Sequence, residues 1–291
     1  MFYHFLSMLS YLKTYVEIKI FQKNINMAKR LGKQVNFAIK DQKIIIAVAH
    51  VVPPAQHNDA GKLTRLTACL DCLHNSFAAY PYKIVLLSKK NHSIHRKLPT
   101  YLRKGLDIYW SDQPDPMFVE FDAYEVFKPL VGDYDYFIFL EDDILLNDSW
   151  LINKIADFNT YSPQNSYVLL PHRFEYHNGI KYYLDQIAVN GKALAYYSYI
   201  DMFKVKHGHI KYCIYENPHA AFYCLNKTQI YKWVQSGYKW KNKVVAIGPL
   251  ESAATFAMFE NFKFMKPHPD CAGYFELQHF GHKYMMKENI I

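Results

Sequence analysis

Residues 134–146 read YDYFIFLEDDILL. The stretch from Tyr136 to Leu140 is wholly apolar and aromatic, as a strand buried on both faces would be. It runs directly into Glu141, Asp142 and Asp143. Adjacent carboxylates at the end of a buried strand repel one another unless a cation or strong hydrogen-bond donors compensate them. Hard divalent cations such as Mg²⁺ or Mn²⁺ take oxygen ligands, with one or two carboxylates completed by substrate phosphates, so this strand end is a suitable seat. The plainer reading is an acidic turn leading into a helix near Asp148, Ser149 and Trp150. The buried strand before the acids favours the metal.

Outward from this stretch the chain alternates strand and helix. Residues 43–50 (KIIIAVAH) form a short β-branched block that ends at VVPP and predict the first strand of a main sheet. Residues 58–77 open with capping-type residues and place Leu63, Leu66, Leu70 and Leu73 at helical spacing. Further strands are predicted at 83–88 (KIVLLS) and 106–110 (LDIYW), a helix at 118–131, and a strand at 167–177 that delivers His172, Arg173 and Glu175. Strand–helix–strand alternation implies right-handed crossovers onto a mostly parallel sheet, and ligands collect at the carboxyl ends of such strands. From about residue 180 the text turns Tyr-rich and irregular, with helix signals at 226–237 and 249–262. The expected fold is therefore α/β: a mixed, mostly parallel central sheet flanked by helices, with an irregular C-terminal portion.

Composition agrees with a chain that folds throughout. Half of the 291 residues are hydrophobic, 21% are charged, and no low-complexity tract or internal repeat appears. The formal charge of +8 favours anionic partners without choosing among them. Five cysteines without a regular framework argue against a disulfide-stapled domain and for a reducing compartment; Cys69 and Cys72, within a helical stretch, read as core thiols. No apolar run is long enough to span a membrane. Residues 1–25 read as an aromatic, partly amphipathic helix that carries Lys13, Lys19 and Lys23. That helix either packs on the domain or a second subunit, or makes a peripheral membrane contact.

The acidic segment resembles the D-x-D motif of the GT-A nucleotide-sugar glycosyltransferases, which follows an apolar strand in this way. An amino-terminal strand–helix–strand half, a helix before the motif (DAYEVFKPL) and a later acidic segment before a helix (GPLESAAT) fall in the same order. The resemblance covers about residues 43 to 284. It implies an N-terminal helical extension over 1–40 and one catalytic domain over 41–291, with the nucleotide-sugar half at about 41–150 and the acceptor half at about 151–291. It also implies Mn²⁺ or Mg²⁺, a nucleotide-sugar donor and a carbohydrate or glycolipid acceptor. Asp143 would be the direct metal ligand, with Glu141 the other outer acid and Asp142 nearer the donor ribose or sugar. The sequence departs from a strict D-x-D in having Glu first. A carboxy-terminal histidine often joins the metal shell of such enzymes; FELQHFGHKY offers His279 and His282, of which His279 is preferred, and Lys283 to neutralise the leaving diphosphate. Glu251 opens a helix, where the amide dipoles keep a carboxylate ionised, and resembles the general base of inverting members. His50 and Lys128 are placed toward the donor; His172, Arg173, Glu175 and His219 toward the acceptor.

The biological setting implied is surface polysaccharide or glycolipid synthesis, in the cytoplasm or at the inner face of a membrane. Two other transferase readings satisfy the same residues: a metal-dependent phosphoryl or nucleotidyl transferase, and a glycosyltransferase of DNA bases. A sugar-binding protein without catalysis is a further one. A nucleic-acid-binding module finds no Walker A loop, zinc finger or RNP-type motif to support it.

Overall fold

The computed structural model describes residues 2–30, 41–184, 188–189, 192–193, 199–215, 218–239, 241–244 and 248–281. The first half runs α1 (Phe2–Arg30), β1 (Ile44–Ala49), α2 (Ala60–Phe77), β2 (Tyr82–Ser88), α3 (Thr100–Arg103), β3 (Leu106–Trp110), α4 (Ala123–Phe127) and β4 (Tyr136–Glu141). Then come β5 (Ile144–Leu145), α5 (Leu151–Tyr161), β6 (Tyr167–Leu169), β7 (His172–His177), β8 (Ile180–Tyr183), β9 (Ala188–Val189), β10 (Lys192–Ala193) and β11 (Tyr199–His207). The chain continues with β12 (Ile210–Tyr215), β13 (Phe222–Asn226), α6 (Lys227–Ser236), α7 (Pro249–Ala254), β14 (Lys263–Pro267) and β15 (Glu276–His279).

The protein is mixed α/β, with a five-stranded central sheet in the order β13-β4-β1-β2-β3. β1 to β4 are mutually parallel, and β13 joins the edge of β4 antiparallel. β1 is buried along its whole length because it is covered on both faces. Ile44, Ile46 and Val48 pack with Leu66, Leu70 and Leu73 of α2, whereas Ile45 and Ala47 pack with Val119, Val126 and Phe127 around α4. The period-two alternation of a strand thus divides the core into two layers.

Several local expectations are revised. The predicted helix at 118–131 is α4 flanked by 3₁₀ turns over Pro116–Asp122 and Lys128–Leu130. The predicted strand at 167–177 is two strands, because Pro171 lacks the N–H a ladder needs; there the chain leaves β14, the partner of β6, and joins β15, the partner of β7. The region after residue 180 is rich in strands rather than irregular: β11-β12-β14-β6 and β5-β15-β7-β8 form two further four-stranded sheets. The helix expected over 249–262 stops at Ala254 and is followed by a 3₁₀ turn over Phe256–Met258.

α1 packs on the body of the protein through Thr14, Ile18, Phe21 and Ile25, with the Phe21 ring 5.3 Å from that of Phe158 and 5.7 Å from that of Tyr167. Glu17 on the same face pairs with Lys263 at 2.8 Å. Its outer face exposes Leu12, Val16 and Ile20 among Lys13, Lys19 and Lys23. Among the described residues no helix is long and apolar enough to cross a membrane. Cys69 is a buried core thiol as expected, whereas Cys72 is half-buried at the edge of a surface cleft; both are free.

Candidate active site

The alternation that builds the core also separates the acids. Along β4, Tyr136, Ile138 and Leu140 face the α2 layer, and Phe137 and Phe139 face the α4 layer. Continued past the strand, it turns Glu141 toward α4 and Asp142 toward α2. On the α2 side Asp142 meets Arg65 at 2.7 Å and His50 at 2.6 Å. The Ile94 amide donates to His50 Nε2, so the ring carries its proton on Nδ1 and donates it to Asp142. Both oxygens of Asp142 and both ring nitrogens of His50 are thereby engaged within the protein. The backbone is held equally firmly, with the Asp142 amide donating to Ala49 O and the Glu141 amide to Ala221 O, each at 3.1 Å.

On the other side Glu141 shares its surroundings with Glu120, from the 3₁₀ turn before α4. Burial, followed by repulsion from Asp143, pushes the Glu141 carboxyl up to about 8, against the opposing influence of Arg173 and His279. Burial, followed by the charges of Glu141, Asp143 and Glu251, raises Glu120 well above the usual carboxylate range. Oε1 of Glu141 and Oε2 of Glu120 are enclosed and make no hydrogen bond among the described residues. This half of the site therefore holds more carboxylate than its own donors satisfy.

Asp143 turns toward the third sheet. β15 pairs antiparallel with β5, and the Phe280 amide donates to Asp143 O at 2.7 Å. His279, at the end of β15, is thereby brought to the acids, with Nε2 3.5 Å from Asp143 Oδ2. Its Nδ1 lies 2.7 Å from Glu175 Oε1, and Glu175 is fully buried. Burial would lower the His279 pKa, but hydrogen bonds to Asp143 and Glu175 outweigh it and lift the ring to about 9. A carboxylate behind a histidine that faces a second carboxylate is the arrangement that orients imidazole for a metal.

His50, Arg65, Glu120 and the three acids all line one cavity of about 380 Å³, together with Asp115, Met117 and Leu250. It lies at the carboxyl ends of β1 and β4, where open α/β sheets bind ligands. Among the described residues no three His, Cys, Asp or Glu side chains converge as a ready-made metal cage. The donor set nevertheless fits a hard divalent cation that takes one or two protein ligands and completes its shell from substrate phosphates: Asp143 beside a histidine, and an enclosed, unsatisfied Glu141 oxygen.

The fold gathers Glu141, Asp142, Asp143, His50 and His279 as one group, and brings Glu251 close enough for its charge to act on Glu120. Other expected site residues stand elsewhere. Lys128 is exposed in the 3₁₀ turn just beyond α4 and is not among the residues that line the acidic cavity. Glu175 stands behind His279 rather than toward an open acceptor space, and Arg173 is buried where its charge acts on Glu141. His172 is fully buried with Nε2 donating to Pro267 O at 2.7 Å. His219 is buried, and its carbonyl accepts from Lys266 at 3.0 Å. His282 and Lys283 lie outside the described residues.

Arg65 and Glu120 are site residues that the sequence reading did not single out. Their signal was faint: an arginine beside the Leu66, Leu70 and Leu73 stripe of α2, and one acid within the apolar run FVEF.

No known family's sequence model matches this chain, and no curated protein matches it. Among solved structures, a cytidylyltransferase from Leptospira borgpetersenii serovar Hardjo-bovis is similar over 79% of this chain and 76% of that one, with 14% identity and a TM-score of 0.35. At that level neither substrate nor chemistry carries over from one protein to the other.

Proposed function

We propose that the protein is a metal-dependent transferase acting on a nucleotide-linked substrate, and within that class a glycosyltransferase that moves a sugar from a nucleotide-sugar to an acceptor hydroxyl. The observation that carries the reading is the cavity of about 380 Å³ at the carboxyl ends of β1 and β4, into which Glu141, Asp142 and Asp143 all open. Asp143, with Glu141 and His279 beside it, would hold Mn²⁺ or Mg²⁺. When bound, the cation supplies charge neutralisation to a departing diphosphate.

The remaining work falls to the chain itself. His50 and Arg65 fix Asp142, which keeps the acidic turn from rearranging when ligand enters. Glu175 fixes the His279 ring. Glu251 would take the proton of the acceptor hydroxyl while that oxygen bonds to the anomeric carbon and the carbon–phosphate oxygen bond breaks. Attack opposite the leaving group inverts the anomeric configuration.

The test is product analysis with a panel of nucleotide-sugars and Mn²⁺. Free nucleoside diphosphate or monophosphate with transfer of sugar supports glycosyl transfer. Pyrophosphate released from a nucleoside triphosphate and a sugar phosphate would assign nucleotidyl transfer instead. Glu251→Gln is expected to lower kcat about 100-fold with little change in donor KM; normal turnover in that variant would remove Glu251 as the base.

A further inference from the structure

A second concavity lies on the reverse face of the sheet that carries His279. Along β15, Leu277 and His279 turn inward, so Glu276 and Gln278 turn the other way. The register places Leu145 and Phe174 beside Gln278, and Tyr183 and Lys181 opposite Phe174 and Tyr176. Paired residues share a face, so these side chains form one floor. The loop at Asn147 and Asp148, with Lys154 of α5, builds a wall on it and encloses about 390 Å³.

The chemistry of this cleft differs from that of the acidic cavity. Its charges cancel in place: Lys181 meets Glu276 at 2.5 Å, the Tyr183 hydroxyl donates to the other Glu276 oxygen, and Lys154 meets Asp148 at 2.7 Å. Lys181 also lies 4.3 Å from the centroid of the Phe174 ring. An incoming phosphate or carboxylate would have to compete with Glu276 and Asp148 for lysines already engaged, so an anion gains little here. The uncommitted groups are neutral. The Asn147 and Gln278 amides and the Tyr176 hydroxyl make no side-chain hydrogen bond among the described residues, and Tyr176 is 42% exposed. Amides that both donate and accept, beside a partly exposed tyrosine ring held edge-to-face against Phe174, match the hydroxyls and C–H faces of a neutral sugar.

We propose that this cleft is a binding site for a neutral oligosaccharide, separate from the nucleotide cavity. A sugar ring packs on Tyr176, and its hydroxyls hydrogen-bond with Asn147 and Gln278. The site requires no metal and no transfer chemistry, so it stands or falls apart from the enzymatic reading.

The experiment uses the full chain on an array of neutral hexose and N-acetylhexosamine oligosaccharides alongside sialylated and phosphorylated ones, followed by titration calorimetry with the glycans retained. Neutral glycans are expected to bind, with affinity reduced about tenfold in Tyr176→Ala and in the Asn147→Ala, Gln278→Ala double variant, and unchanged in Asp143→Asn. All the cleft substitutions are at partly or well exposed positions, and circular dichroism checks that the variants fold. Retention of no neutral glycan at millimolar concentration, retention of acidic glycans alone, or equal binding by the cleft variants would overturn the proposal. So would loss of glycan binding in Asp143→Asn, because it would place the sugar in the acidic cavity.

Discussion

Asp143→Asn is expected to lower turnover about 1000-fold and to abolish the response to added Mn²⁺, while the protein stays folded. The substitution keeps the shape of the side chain and an oxygen that accepts hydrogen bonds. What it removes is the charge that a hard cation requires. An asparagine there still accepts from His279, 3.5 Å away, and from Arg65, 3.8 Å away, so the fold should tolerate the change. One negative charge fewer also relieves the repulsion from Asp143 that adds to burial in raising the Glu141 carboxyl. Measurement of kcat across Mn²⁺ concentrations, with thermal denaturation as the control, separates a lost cation site from a damaged protein. Activity that persists with its metal dependence unchanged would show that Asp143 holds no cation.

The layout that makes this variant informative was partly legible in the sequence. Residues 44–49 and 136–140 are apolar without alternation, which is how strands covered on both faces read, and they became the adjacent parallel strands β1 and β4. The acids followed because a charged triplet after such a strand is conspicuous. His279 was legible only as one of two histidines near the end of the chain; its pairing with Asp143 depends on β15 adding to β5, a contact between residues far apart in sequence. Glu175 was visible as a charged residue in a strand, but its use as the support of His279 is a matter of register between β7 and β15. Lys128 does not line the cavity; the sequence tells that a helix precedes β4 without telling which end of the sheet its last turn reaches. The strands after residue 180 were hidden for another reason. β13, β14 and β15 find partners far away in sequence, and Tyr-rich segments such as β12 lack the clean period that marks a half-buried strand.

Arg65 is the residue whose loss should destabilise the site most, and the expected cost of Arg65→Met is about 3 kcal/mol. Its guanidinium is mostly enclosed and stands against Asp142, which is itself nearly sealed from solvent. Burial alone would lower the Arg65 pKa, yet the charges of Asp142 and Asp143 raise it overall, so the cation is firmly held. Without it, Asp142 keeps only the proton shared by His50, beside two further carboxylates and away from water. A buried ion stripped of its partner carries its desolvation penalty unrelieved, whereas removal of both members leaves nothing to compensate. Asp142→Asn in the Arg65→Met background is therefore expected to recover most of the lost stability, a coupling of about 2 kcal/mol in a double-mutant cycle measured by denaturant unfolding. Additive losses would mean that Arg65 stabilises α2 through packing alone. The cycle also bears on chemistry: if Asp142 serves to anchor the acidic turn, the double variant should regain stability without regaining turnover, because an uncharged pair no longer holds Glu141 and Asp143 against the repulsion between them.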